Sequence, residues 1–331
     1  MKFLSGLSKK TKKNIKFAIK SLVGLGLVGI LVFQVDWGKI WVELSHASVP
    51  LLLVATVLYV LGVYLCVHRW WKTAEYKGFS IDFRSARQHY FAGLFLNNFL
   101  PSFLGGDAYQ SYVLGKPDRR YAAAFSSVMF VRFAGLIITI LLFLLFGLLA
   151  FKEVFMQPLF ATLGLSLFFF LLVDVLLFYA RRHFHQFYSF LPEKIRNILN
   201  ELGGYTDHRF LVDSVLVSAV FAIVGVGLFN MTIFWALGEP VPVLPYLSVV
   251  FLISIIQSLP ISVNNIGLKE WAYYALLPLI GIRPETALAV ALLGRFIQVL
   301  VSVSGAPVFF RERKEYGLPS DMNGESGASL P

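Results

Sequence analysis

The sequence has very little cysteine and little charge for its length. Its 331 residues include one cysteine, Cys66, so no intramolecular disulfide can form. Charged residues make up 15% of the chain, against roughly 25% in soluble proteins. This scarcity of charge excludes an ordinary soluble domain.

The signatures of common cofactor and metal sites are also missing. The sequence contains no Walker motif and no nucleophile elbow. Gly24-x-Gly26-x-x-Gly29 matches a nucleotide-loop pattern, but it lies inside an apolar run with no strand before it. The six histidines are scattered, and no cysteine or carboxylate cluster accompanies them. We therefore expect no cofactor, no metal site and no enzymatic activity.

What the sequence has in abundance is apolar residues. They make up 57% of the chain, with 32 phenylalanines and a mean hydropathy of +0.71. Several apolar runs reach the roughly 20 residues that cross a bilayer as a helix. The sequence therefore predicts an all-α polytopic membrane protein with about six full spans. We place these spans at about 15–34, 49–67, 123–150, 158–180, 213–237 and 287–310.

One stretch, residues 97–109, carries polar and helix-breaking residues in an apolar neighbourhood. It contains two adjacent asparagines, a proline, two glycines and an aspartate. Proline and glycine interrupt helices. In lipid, an interrupted backbone survives only where it is buried in protein or lines a wet cavity. The stretch is therefore either a loop outside the membrane or a site within it.

A second stretch, residues 259–270, repeats this pattern. Both stretches run from Leu-Pro through glycine to an acid, and Ala-Tyr and then Arg-Phe follow both. Asp107 precedes Arg132 by 25 positions, and Glu270 precedes Arg295 by the same number. Four matches in one order indicate an internal duplication.

The two broken segments, 88–115 and 246–281, predict re-entrant hairpins. Each arm would be about 9–14 residues, which is too short to cross a hydrocarbon core of about 30 Å. If both segments return to the side they entered, the outer loops hold only Lys39, Lys152 and Arg283 among the basic residues. This satisfies the positive-inside rule, with both termini in the cytoplasm. The halves 49–150 and 213–310 then form an inverted repeat, an arrangement found in many secondary transporters.

Six ionisable residues fall inside the predicted membrane segments. Each costs about 2.5–3.5 kcal/mol at the bilayer centre, so each must face the bundle interior, pair, or meet water. The number of residues between each acid and the arginine that follows it places both at a similar depth in the membrane. It does not show whether the pairs form within or across the repeats. The residues are either structural struts or the walls of a polar chamber for a charged head group. They are Asp107, Arg132, Asp174, Lys269, Glu270 and Arg295.

Two regions lie outside this pattern. Residues 191–202 place five apolar side chains on one helical face, so we expect a helix that either lies on the inner membrane surface or packs on the bundle. Residues 315–331 are polar and contain glycine and serine, and we expect a disordered tail. Residues 1–314 are expected to form one membrane domain.

The regions of Asp107, Arg132, Glu270 and Arg295 resemble the lysylphosphatidylglycerol synthase transmembrane-region family, also called flippase-like domain proteins. The resemblance covers about residues 15–312. It implies a bacterial or archaeal inner-membrane protein that moves lipids with modified head groups between leaflets or assists the enzymes that make them. Family members with a soluble aminoacyl-transfer domain carry it after the membrane part. Residues 315–331 leave no room for such a domain, so we expect no lipid aminoacylation here. The family often has arginine where Gln110 stands and glycine where Asn265 stands.

These observations support three hypotheses. The first is a translocator of a lipid with a charged, phosphate-bearing head group, which is a phospholipid, a glycolipid or a polyprenyl-linked lipid. The second is a lipid-modifying transferase with Asp107 or Glu270 as base, and the third is a scaffold for a lipid-modifying enzyme. Because the basic residues sit in loops on one side of the membrane, we expect no nucleic-acid partner. The predicted transport residues are Asn97, Asn98, Pro101, Gly105, Gly106, Asp107, Arg132, Pro260, Asn264, Asn265, Gly267, Lys269, Glu270 and Arg295.

Overall fold

A computed structural model describes residues 9–99, 105–151, 193–259 and 261–316, and these residues form helices and turns without a β-strand. The all-α prediction is therefore confirmed for this part of the chain. Its helices, in chain order, are α1 (Lys9–Gln34), α2 (Trp37–Ser45), α3 (Val49–Tyr76), α4 (Phe83–Phe99), α5 (Gly105–Gly115), α6 (Tyr121–Ala150), α7 (Glu193–Gly203), α8 (His208–Ala236), α9 (Val243–Ser258), α10 (Leu268–Leu276), α11 (Pro284–Val303) and α12 (Ala306–Tyr316).

Four of the described helices, α3, α6, α8 and α11, are each long and apolar enough to cross a membrane. A fifth candidate is the pair of α1 and α2, which meet at 86°. The predicted span 287–310 is too long, because α11 ends at Val303 and α12 begins at Ala306. The predicted span 158–180 lies outside the described residues. The chain is thus an integral membrane protein with four or five candidate spans in its described part.

The second broken segment is interrupted where the sequence predicted, and in the first the residues between α4 and α5 lie outside the described residues. In the first, α4 ends at Phe99 and α5 begins at Gly105; in the second, α9 ends at Ser258 and α10 begins at Leu268. The first arms are longer than expected, with 17 residues in α4 and 16 in α9. A helix of 17 residues is about 25 Å long, so α4 alone still falls short of a full crossing.

The two arms of the first segment lie unusually close together. A Cβ atom added at Gly106 of α5 would lie 2.2 Å from the carbonyl oxygen of Gly93 in α4. Only glycine allows this approach, because no side chain fits in the gap. The helix α6 packs against both α5 and α9, so it connects the two broken segments.

The helix predicted at 191–202 is present as α7. Its position distinguishes between a helix on the membrane surface and one packed on the bundle. Leu202 is buried with Phe130 of α6 and with Tyr205, and Ile198 packs against this cluster. The described apolar face of α7 is thus covered by the helical bundle, which favours packing on the bundle over a helix lying on the membrane surface.

The last described helix, α12, is hydrogen-bonded to both arms of the first broken segment. Glu312 accepts hydrogen bonds from Tyr109 of α5 and from Nε2 of His89 in α4, the latter at 3.1 Å. Burial opposes ionisation of Glu312, but these two hydrogen bonds, together with Arg311, lower the pKa of its carboxyl below the ordinary value. The carboxylate therefore stays ionised near neutral pH and fixes α12 on this segment.

Candidate functional site

The first acid–arginine pair joins the two helices after the first break. Asp107 lies in the first turn of α5, where the helix dipole favours a negative charge. Its carboxylate pairs with Nε of Arg132 on α6. The Asp107 side chain is buried, whereas 37% of the Arg132 side chain is exposed. The break itself is bridged by Asn97, whose Oδ1 accepts a hydrogen bond of 2.8 Å from the Gly106 amide.

The second pair has the same plan and is more enclosed. Glu270 lies in the first turn of α10, and its Oε1 is 2.5 Å from Nε of Arg295 on α11. Its other oxygen, Oε2, accepts a hydrogen bond of 2.9 Å from the Gly267 amide. The carbonyl oxygen of Asn265 accepts a further bond of 3.0 Å from Arg295. Each acid therefore pairs with the arginine that follows it in the chain by 25 positions.

The backbone of the second break adopts left-handed conformations at three positions. The φ angles are +47° at Asn264, +55° at Asn265 and +78° at Gly267. Asparagine tolerates this region better than most residues, and glycine enters it freely. Asn265 thus adopts the type of conformation that suits the family's glycine at this position. The turn directs the carbonyl oxygens of both asparagines toward Arg295.

An amide contact joins the two breaks directly. Asn264 Nδ2 lies 3.3 Å from Asn98 Oδ1, across 166 positions of sequence. The Asn98 amide group in turn donates to the Leu94 carbonyl in α4. Each charged pair thus forms within one of the two predicted halves, and these amides connect one half with the other.

A polar cavity of about 280 Å³ lies beside the second break. Lys269 lines it, and its ammonium group makes no hydrogen bond to any described residue, although only 3% of the residue is exposed. The Oδ1 atoms of Asn230 and Asn265 are also buried without a described hydrogen-bond partner. The π-helical turn Ala222–Leu228 within α8 contributes to the wall, as such turns often do at functional sites. The lining residues are Arg132, Gly225, Val226, Asn230, Ser254, Gln257, Ser258, Asn265, Lys269, Tyr273 and Gln298.

The structure brings most of the predicted site residues together around the two breaks. Gly105 and Gly106 are buried at the start of α5, and Gly267 caps the start of α10. Gln110, at a position where the family often has arginine, is buried with its amide group against Gly93. Three residues considered from the sequence, Pro101, Asp174 and Pro260, lie outside the described residues.

Arg69 and Asn230 are among the polar residues of the interior that the sequence analysis missed. The predicted span 49–67 stopped short of Arg69, but α3 continues past this residue, and it is only 4% exposed. One of its terminal nitrogens donates a hydrogen bond of 2.5 Å to the Val131 carbonyl oxygen. Asn230 lines the cavity from α8. Asn230 could have been predicted as a site residue, because it is an amide within the apolar run 213–237 and polar side chains inside membrane spans often mark functional sites.

These features define an integral membrane protein whose interior holds a polar cavity built at helix breaks. Such breaks, with charged side chains and free backbone groups, form the binding sites of many membrane transporters. The family model described as the lysylphosphatidylglycerol synthase TM region matches residues 17–305, and the chain belongs to this family. No curated protein and no solved structure matches the chain.

Proposed function

We propose that the protein moves a lipid with a charged, phosphate-bearing head group from one leaflet of the cytoplasmic membrane to the other. The observation that carries the proposal is the cavity beside the two breaks, which is lined by Lys269, a buried lysine whose Nζ makes no hydrogen bond to any described residue. The family membership supports a role connected with membrane lipids.

The energetics of Lys269 favour an anionic ligand. A buried lysine side chain that makes no hydrogen bond costs free energy, so a ligand that pairs with it is favoured. The neighbouring acid, Glu270, is already engaged by Arg295. A phosphate entering the cavity would accept charge-assisted hydrogen bonds from Lys269 and compensate this cost.

The proposed topology gives such a head group a route from either side. The first broken segment enters from the cytoplasm and the second from outside, as the distribution of basic loop residues suggests. In this inverted repeat the two breaks meet near the bilayer centre, where Asn98 contacts Asn264. Both termini are then cytoplasmic.

The geometry supports the translocator better than the transferase. A general base needs a carboxylate that is available to the substrate. Asp107 and Glu270 instead each hold an arginine. The scaffold hypothesis assigns no role to the cavity lined by Lys269.

The test is translocation in vesicles containing the purified protein, with labelled phospholipid and polyprenyl-phosphate analogues. We expect Lys269→Met to slow movement at least about tenfold, because it removes a charged hydrogen bond worth about 1.5–3 kcal/mol. The same change should leave thermal stability equal or higher, because it replaces a buried polar group that makes no hydrogen bond to any described residue by an apolar one of similar size. The matched control is Lys72→Met, since Lys72 is an exposed cation on α3.

Two outcomes would count against the proposal. One is wild-type protein that leaves both labelled lipids on their original leaflet. The other is a new head group in the mass spectrum of the vesicle lipids, which would indicate the transferase instead.

A further inference from the structure

The short helix α2 lies where three of the candidate membrane spans end. Two residues separate it from α1 and three from α3. The Ser48 amide, just before α3, donates a hydrogen bond of 2.7 Å to the carbonyl oxygen of Ala236, the last residue of α8. Ile40 of α2 is buried in one cluster with Leu288 near the start of α11. Because the ends of spanning helices mark the surfaces of a bilayer, α2 lies at a membrane boundary.

The direction of α2 places it along this boundary rather than through it. Its axis makes an angle of 86° with that of α1. Spanning helices tilt by about 20° on average from the bilayer normal, so a helix at this angle to α1 runs close to the plane of the membrane. The nine residues of α2 also give a length of about 14 Å, less than half of a hydrocarbon core of about 30 Å.

Two opposite edges of α2 differ in their chemistry. At about 100° of rotation per residue, Trp37 and Trp41 lie about half a turn away from Lys39 and Glu43. Both tryptophans are exposed, Trp37 to 45% and Trp41 to 73%. Ile40 lies between the two edges and packs on the bundle. A helix with one aromatic edge and one charged edge is typical of a membrane interface, where the aromatic residues enter the lipid.

The ion pairs of the charged edge show which way α2 is turned. Glu43 pairs with Arg283, the residue before α11, at 2.7 Å. Arg283 also pairs at 2.8 Å with Glu239, in the connection between α8 and α9. Lys39 lies 3.5 Å from Glu285 in the first turn of α11. These partners belong to the ends and connections of the spans, and 57% of the Arg283 side chain is exposed. The charged edge is therefore turned toward the water, and the tryptophans on the opposite edge are turned toward the bilayer.

We propose that α2 is an interfacial helix that binds the head-group region of the bilayer through Trp37 and Trp41, on the outer surface in the proposed topology. An indole ring suits this zone because its body is apolar and its N–H is polar. The Trp37 N–H already donates to the Val32 carbonyl oxygen at 3.2 Å, so this ring enters the lipid without an unpaired donor. The helix α1 then crosses the membrane without α2.

The test measures the depth of single nitroxide-labelled cysteines in the full chain, in a Cys66→Ala background, in vesicles of phosphatidylcholine and phosphatidylglycerol. Power-saturation EPR compares collisions with oxygen, which enters the bilayer, and with a water-soluble nickel chelate present on both sides. We expect labels at Trp37→Cys, Trp41→Cys and Ser45→Cys to lie at similar depths, about 5–10 Å into the boundary between head groups and acyl chains. The label at Lys39→Cys should lie in water and collide with nickel.

Two reference positions calibrate these depths. Asp118→Cys, in an exposed loop, is the aqueous reference, and Leu141→Cys, 45% exposed on α6, is the acyl-chain reference. Ser45→Cys and Lys39→Cys retain both tryptophans and replace exposed residues. These two positions therefore decide the result even if the tryptophan variants do not fold. In a bent span made of α1 and α2 the order is reversed, with position 39 in lipid and position 45 in water.

Three results would overturn the assignment of α2. The first is a depth that changes steadily by about 12 Å from position 37 to position 45, as in a helix that continues a span. The second is a label at position 41 that collides with nickel as often as the aqueous reference does. The third is exclusion of both reagents with spin–spin broadening, which would mean that a second copy of the chain covers this edge. A failure of lipid movement in the same vesicles would leave the interfacial helix standing, because depth is measured without transport.

Discussion

At the scale of single residues, the two acid–arginine pairs differ in how strongly the protein depends on them. Glu270 uses both oxygens, one for Arg295 and one for the Gly267 amide. The Arg295 side chain is 22% exposed, against 37% for Arg132. Removing the acid should destabilise the protein more where its arginine is more enclosed, because less water is available there to replace the carboxylate.

Removing each acid should therefore destabilise the protein unequally. We expect Glu270→Ala to cost about 3–5 kcal/mol, as is usual when one partner of a buried pair is lost, and Asp107→Ala to cost less. The measurement is thermal unfolding in detergent. Removing both partners, as in Glu270→Ala with Arg295→Ala, should restore part of the stability without restoring lipid movement. Recovery of both together in every double mutant would make these residues struts rather than parts of a transport site.

At the scale of elements, each break depends on glycine at a point of close contact. Gly267 adopts a left-handed conformation, and a Cβ atom there would lie 2.5 Å from the Gly24 carbonyl oxygen in α1. In the sequence, Gly24 was notable only because it begins a nucleotide-loop pattern. The structure gives it a packing role instead, because α1 passes directly over the second break.

The first break offers the cleaner test of this dependence. An added Cβ in Gly106→Ala would overlap the Gly93 carbonyl oxygen and approach Asn97 Nδ2 to 2.7 Å. We expect α5 to shift away from α4 and the protein to lose about 1–3 kcal/mol, typical of overpacking. Gly29→Ala is the control, since no atom lies within 4 Å of its added Cβ and a helical alanine stabilises by about 0.4–1 kcal/mol. Equal thermal stability of the two variants would refute the close contact.

At the scale of the whole molecule, the sequence predicted the parts that depend on local chemistry. The breaks follow from proline, glycine and amides in apolar runs, and α3, α6 and α8 follow from hydropathy. The partners of the charged groups were not predictable, because chain length gives depth in the membrane but not which helices are neighbours. Arg69 was missed for the same reason, since its burial depends on its contact with Val131 of α6, a distant segment.

The inverted repeat is the largest feature still to be tested, and it makes a specific prediction about accessibility. Single cysteines in a Cys66→Ala background would be probed with a maleimide that does not cross membranes. Asp118→Cys and Gly204→Cys should label only from the cytoplasm, and Lys39→Cys and Pro240→Cys only from outside; all four native residues are exposed. The two flanks of each broken segment lie on one side in this arrangement, because each hairpin returns to the surface it entered. Labelling of position 118 from outside would mean that α4 and α5 together cross the membrane. The second half would then no longer mirror the first. The proposed route, by which a head group reaches the cavity from either leaflet, would lose its structural basis.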